Sequence, residues 1–169
     1  MADFDTDYAF MMANEDRAGL HAIVPDAPPG AYAISGINSA AWPAEFDAIA
    51  TIPQNQRGPA VEAFYQEHFW NVWESQLSDT VAERVLDMAV NAGPGIAVRL
   101  LQQAINNLGG ALVVDGAWGP ATVAAANACD QTALVGAYRI VRQAYYQAVV
   151  DHNPASGPYL PGWEARATE

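Results

Sequence analysis

The sequence predicts a mainly α domain with one long irregular loop near its N-terminus. Three observations carry this. Apolar residues recur at helical spacing over most of the chain. Glycine and proline punctuate those segments where helices should begin and end, at Gly93-Pro94, Gly109-Gly110 and Gly119-Pro120. A dense set of breakers between about residues 18 and 43 interrupts the pattern once, at length.

The elements follow in order. Phe4, Tyr8, Met11 and Met12 share a helical face, which predicts a helix over about residues 3–14, ending near Glu15-Asp16-Arg17. Pro25, Pro28, Pro29, Gly30 and Gly36 then exclude a continuous helix. Loops of this length are uncommon in compact domains and are often functional. A short helix is expected over 44–50. Pro59 suits a first helical position, and Val61, Phe64, Tyr65, His68, Phe69, Val72 and Trp73 continue at helical spacing. Thr80-Val81-Ala82-Glu83 reads as a capping box opening a helix to about Asn91, with Val81, Val85, Met88 and Ala92 inward. The next helix turns Leu100, Leu101, Ala104, Ile105 and Leu108 to the core. Leu112-Val113-Val114 reads as a small extended segment before the Asp115-Gly116 turn. Pro120 opens a short helix to Ala126, and 131–151 forms a last long one carrying Leu134, Tyr138, Val141, Tyr145 and Val149. The tail, 153–169, is again rich in Pro and Gly.

Composition narrows the function. The 169 residues carry 19 acids against seven cations, all arginine, for a formal charge of −12. That balance argues against nucleic acid and against adhesion to anionic membrane lipid. Cys129 stands alone, so no intrachain disulfide forms, and it reads as a small packed residue. His21, His68 and His152 have no ligand spacing, so no metal site is expected. No apolar run approaches the roughly 20 residues of a membrane span. The acidic start, Met1-Ala2-Asp3-Phe4-Asp5, lacks a basic n-region; the expectation is a protein made in the cytoplasm without a signal peptide.

Two carboxylates stand out. Glu15 lies where an apolar helix meets the long loop; partial desolvation there would raise its pKa and suit it to general-acid work on a glycoside. Asp26, in the loop, is the candidate second carboxylate, activating water or stabilising an oxocarbenium ion. By spacing alone Glu15 also reads as a solvated helix end, and Asp26 as a turn residue before Pro28-Pro29. No Ser-His-Asp order, Walker loop or dinucleotide fingerprint is present. His68 reads as a packed boundary residue. Trp70, Trp73, Trp118 and Trp163 read either as sugar-stacking platforms or as core.

Several segments taken together resemble glycoside hydrolase family 108, the lysozyme-like N-acetylmuramidases of phage endolysins and bacterial cell-wall effectors. The helix end Glu15-Asp16-Arg17, the loop Asp26-Ala27-Pro28-Pro29-Gly30 and the closing Ser35-Gly36-Ile37 are similar to that family's Glu-Gly-Gly, Asp-Pro-Gly-Gly and Thr/Gly-Ile stations. Phe64-Tyr65-Gln66-Glu67-His68-Phe69-Trp70 is similar to its Tyr-rich helix, and Asp87-Met88-Ala89-Val90-Asn91-Ala92-Gly93 to its Asp-x-x-Val-Asn-x-Gly. Leu101-Gln102-Gln103-Ala104, Asp115 through Thr122, Arg142 through Tyr146 and Gly162 through Arg166 follow in the family's order, the second of these resembling predicted peptidoglycan-binding modules. Asp16 and Arg17 replace the two glycines, and Ala33 stands at the family's Thr.

The resemblance implies a lysozyme-like helical fold. It implies a catalytic region over 1–86 and a predicted peptidoglycan-binding region over 87–169, packed as one compact domain. It implies hydrolysis of the β-1,4 bond between N-acetylmuramic acid and N-acetylglucosamine, with Glu15 as general acid and no cofactor. Tyr32, Ser35 and Asn38 of the loop are the implied substrate contacts. Asp87 and Asn91, one helical turn apart, read as holding a sugar N-acetyl group or the loop, or as a buried polar pair. Peptidoglycan is the expected partner. A holin, a secretion machine or a phage particle would carry the protein to the wall. Two other functions fit the same residues: a non-catalytic peptidoglycan-binding or virion structural protein that kept the fold, and a lytic transglycosylase.

Overall fold

The computed structural model describes residues 1–71 and 74–168; the helical reading of Val72 and Trp73, and Trp73 as a sugar platform, lie outside the described residues. The described residues are 67% helical, in keeping with the mainly α class the sequence predicts. The order is α1 (Phe4–Glu15), β1 (Ile23–Asp26), β2 (Ala31–Ile34), β3 (Ile37–Asn38), α2 (Pro43–Ala50), α3 (Gly58–His68), α4 (Asp79–Ala92), α5 (Pro94–Asn107), α6 (Pro120–Ala128), α7 (Gln131–His152) and α8 (Leu160–Thr168). The chain divides into two compact units: Phe4–Trp70, and the remainder, Met1–Asp3 with everything from Asn71 on.

The unit Phe4–Trp70 holds α1, α2, α3 and an antiparallel sheet in the order β1-β2-β3. The long loop is therefore partly a sheet, which breaker density hides. β1 is only four residues, contains Pro25 and is exposed throughout, so no alternation marks it as a strand. β2 pairs Ile34 with Ile23 on one side and with Ile37 on the other. Ile34 and Ile37 are both fully buried, which fixes the register, because a one-residue slip would turn them to solvent. Trp42, Phe64, His68 and Phe69 form an aromatic cluster with ring centroids 4.7–6.0 Å apart, so His68 is a packed residue. Trp70 sets its ring edge-on to Phe4. The buried Arg57 donates to three backbone carbonyls, of Ile52, His21 and Ala50, and so ties the end of α2 to the loop.

In the second unit α4, α5, α7 and α8 pack together around Val85, Leu86, Met88, Leu101, Ile105 and Leu134. At the start of α4 the capping-box reading fails. The helix begins at Asp79 with Ser78 as its cap residue, and Glu83 pairs with Arg84 instead of reaching back. Leu108 is exposed, because α5 stops at Asn107 and the chain turns away at Gly109. Leu112-Val113-Val114 joins no sheet; Asn106 pins it by bonding both the amide and the carbonyl of Leu112. The Pro/Gly-rich tail is helical: 3-10 over Pro154–Tyr159, then α8, with Pro161 in the first turn where a missing N–H costs nothing. Trp163 stacks between Tyr146 and Tyr159, a packing role.

Gln102 of α5 ties the Asp115-to-Thr122 motif into one knot. Its amide nitrogen donates to Asp115 Oδ1 at 2.9 Å and to the Ala117 carbonyl, and its oxygen accepts from Gly116 N–H at 2.9 Å. Gly116 has φ of +77°, and a Cβ there would fall 2.6 Å from the Gly95 carbonyl oxygen, so the turn needs glycine. The Ala117 amide, then Gln102, hold the Asp115 carboxyl below the usual carboxylate range.

Asp87 is fully buried on α4. It accepts from Arg142 at 2.6 Å and from Arg166 at 2.8 Å, joining α4 to α7 and α8. Truncating one partner of a buried ion pair leaves an uncompensated charge, at about 3–5 kcal/mol. Asp87→Ala should therefore lower stability by about that much in urea unfolding followed by circular dichroism. Arg84→Ala, which removes the half-buried ion pair with Glu83 and the bond to the Thr80 carbonyl, should cost less than that, on the order of 1 kcal/mol, in the same measurement.

Candidate active site at the end of the first helix

α1 delivers Glu15 to the turn that joins β2 to β3. That turn is Ser35-Gly36, and both residues are left-handed, with φ of +48° and +83°. The turn packs so closely on the helix end that a Cβ at Gly36 would lie 2.3 Å from Glu15 Oε2 and 2.7 Å from the Tyr65 hydroxyl oxygen. Glycine is therefore required twice, for its backbone conformation and for the space. The Tyr65 hydroxyl donates to the Ser35 carbonyl at 2.6 Å, so α3 grips the turn from below. Glu15 itself is half-buried.

Asp16 follows Glu15 and binds the loop. Its Oδ2 accepts from the His21 amide at 2.7 Å and from the Ser35 hydroxyl at 2.8 Å, and its Oδ1 from the Leu20 amide. His21 Nδ1 lies 2.8 Å from Ser35 Oγ. Burial pushes the Asp16 carboxyl up, but the Ser35 hydroxyl, the two amides and the His21 ring together outweigh it and hold the group below the usual carboxylate range. A groove of about 510 Å³ lies beside this cluster, with Tyr8, Met12, Asp16, Arg17, His21 and Glu62 in its wall. The Tyr8 hydroxyl there is pushed up to about 12, by burial first and then by Glu62 and Asp16, so it stays a proton donor at neutral pH.

The structure separates the other predicted site residues. Asp26 is exposed at the far end of β2 from the Ser35–Gly36 turn, paired with Ala31. Four residues of strand, about 13 Å, lie between the two ends. Asp26 accepts from the Asn38 side chain and the Ala27 amide, while Asn38 also donates to the Ala27 carbonyl and accepts from Ala40 and Ala41. Asp26 and Asn38 thus form one local knot that shapes the hairpin. Tyr32 is about half exposed on β2, with its backbone bonded to Ser39. Ser35 is buried and its hydroxyl serves the turn, bonded to Asp16. Asp87 takes the buried polar alternative: it lies fully buried between two arginines and presents no surface to a sugar. Asn91 is half-buried in the last turn of α4. His21, Asp16, Tyr65 and Gly36 were not legible as site residues.

Comparison with known proteins divides the chain in two. The family model described as Glycosyl hydrolase 108 matches residues 14–93, and the one described as Predicted Peptidoglycan domain matches residues 96–168. The resemblance to glycoside hydrolase family 108 holds. The glycosyl hydrolase 108 segment opens one residue before Glu15 and takes in the whole sheet, while Tyr8 and Met12 of the groove wall lie just before it. The solved structure of Brucella abortus SagA shares the fold, with a TM-score of 0.66 at 20% identity, over 98% of this chain and 93% of that one. No curated protein matches the sequence significantly. The two family matches together support a peptidoglycan hydrolase of the glycoside hydrolase class. Among the described residues no group of three His, Cys, Asp or Glu could hold a metal ion, and no helix is long and apolar enough to cross a membrane.

The crowding at Gly36 yields a direct test. Gly36→Ala should displace the Glu15 carboxyl and destabilise the protein by more than about 1 kcal/mol, since both backbone and space oppose it. Gly136→Ala, in α7 with open space at its Cβ, should stabilise by up to about 1 kcal/mol. Thermal melts of the two variants, moving in opposite directions, check this.

Proposed function

We propose that this protein is an N-acetylmuramidase, cleaving the β-1,4 bond between N-acetylmuramic acid and N-acetylglucosamine, with Glu15 as general acid. The observation that carries the reading is the seating of the Glu15 carboxyl on the Ser35–Gly36 turn, within a segment that matches Glycosyl hydrolase 108. A carboxyl fixed by packing against the turn can protonate a leaving oxygen without first reorganising. The Asp26–Asn38 knot shapes the hairpin on which the glycan would lie; Asp26 then acts on substrate through loop shape. The match at residues 96–168 to a peptidoglycan domain supports peptidoglycan as the polymer held. The protein would be made in the cytoplasm and reach the wall by a holin, a secretion machine or a phage particle.

Glu15→Gln should abolish turbidity loss on purified cell walls while changing stability by no more than about 0.5 kcal/mol. Wild-type lysis by that variant would remove Glu15 from the mechanism. Product analysis by mass spectrometry should find reducing ends with one added water; anhydro sugars would instead mean a transglycosylase, and no product with retained wall binding a non-catalytic binder.

The formal charge of −12 predicts a second behaviour. Peptidoglycan is itself anionic, and screening shortens the Debye length from about 30 Å at 0.01 M to about 10 Å at 0.1 M salt. The lytic rate should rise over that range as like-charge repulsion is relieved. A steep fall would mean that attraction, not repulsion, governs the encounter.

A further inference from the structure

Among the described residues only His21 and Ser35 hold a non-glycine backbone in the left-handed region, each with φ of +48°. Strained residues of this kind persist only where their surroundings over-determine them. Here the two strained residues bond to each other, and both bond to Asp16. From this we infer that Asp16, Ser35 and His21 are positioning residues, a latch that holds the Ser35–Gly36 turn against Glu15 and so sets where the acid presents its proton. The inference rests on the reading of Glu15 as the acid.

The hydrogen-bond directions close consistently. The Ser35 hydroxyl has one proton, and it goes to Asp16 Oδ2. Ser35 Oγ therefore accepts from His21, which places a proton on Nδ1 and leaves Nε2 beside Gly58. This is not a nucleophile triad: Ser35 is 5% exposed, and its proton points to the carboxylate, not to the imidazole. The backbone of the latch is held as well. Asp16 takes the His21 amide, Arg57 takes the His21 carbonyl at 2.8 Å, and Tyr65 takes the Ser35 carbonyl at 2.6 Å. Because Asp16 is the next residue after Glu15, any slack in the latch moves the turn relative to the acid itself.

The test uses the full-length protein and two variants. Asp16→Ala removes the hub, and Ser35→Ala removes one spoke while keeping the two amide bonds to Asp16. On soluble uncrosslinked glycan strands, each should lower kcat by about ten-fold or more, as a misplaced acid does, with KM within about two-fold of wild type. Asp16→Asn, which keeps an acceptor, should restore part of kcat. In parallel, carbon-13 NMR of the Glu15 carboxyl and the amide signal of Gly36 should shift in both alanine variants. Unchanged kcat and an unchanged Glu15 signal in a folded Ser35→Ala protein would overturn the latch while leaving the hydrolase reading intact. A rise in KM that accounts for the whole loss would also overturn it. A wild type with no hydrolysis would overturn the hydrolase reading instead; the NMR shifts would then still support the latch, or, if absent, refute it.

Discussion

The missing side chain at Gly36 is the constraint around which the first unit is arranged. A helix end, a strand turn and a tyrosine hydroxyl converge on a volume too small for one methyl group. Everything nearby serves that convergence. Ile34 and Ile37 bury either side of the turn and set its register. Tyr65 holds it from α3 and Asp16 from α1. The sheet is short, with a two-residue third strand, yet it is enough because its task is to present one turn.

The second unit is organised on a different principle. Asp87 gathers two guanidiniums in a buried site, so three helices are cross-linked by one carboxylate. Arg142 completes the arrangement by lying over the Tyr138 ring, 5.8 Å from its centroid. Burial raises the Tyr138 and Tyr146 hydroxyls although Arg142 works against it, so both remain neutral donors, to the Ala97 carbonyl and the Met88 sulfur. Buried charge of this kind adds little net stability but is costly to break, which favours a single packing of the helices.

Helices α1 to α7 were legible from their apolar spacing and start signals, and Pro59, Pro94 and Pro120 stand in first turns where the rule places them. The sheet was not, because β1 is exposed on every residue and broken by Pro25. The tail misled for the opposite reason: its prolines occupy first turns and a 3-10 segment, which tolerate them. Glu15 could be picked out from its place at a helix end. The cluster around it could not, since Asp16, His21 and Ser35 meet through left-handed backbone that no local pattern signals. The two arginines of Asp87 were not legible, because they lie 55 and 79 residues away. Asp16, which stands where the family it resembles has glycine, supplies a hydrogen-bonding hub in three dimensions.

The arginines have a last consequence. Arg57, Arg84, Arg99, Arg139, Arg142 and Arg166 all donate to backbone carbonyls or carboxylates. Arg17 alone has no side-chain partner among the described residues, and it is exposed in the turn after α1. With no lysine in the chain, an arginine-directed protease finds its most accessible bond there, between Arg17 and Ala18. A first nick at that point would cut the chain between the acid and the sheet that seats it, leaving them joined only by noncovalent contacts. Amine-reactive reagents meet the mirror situation: without lysine, no side chain of the sequence offers them a primary amine.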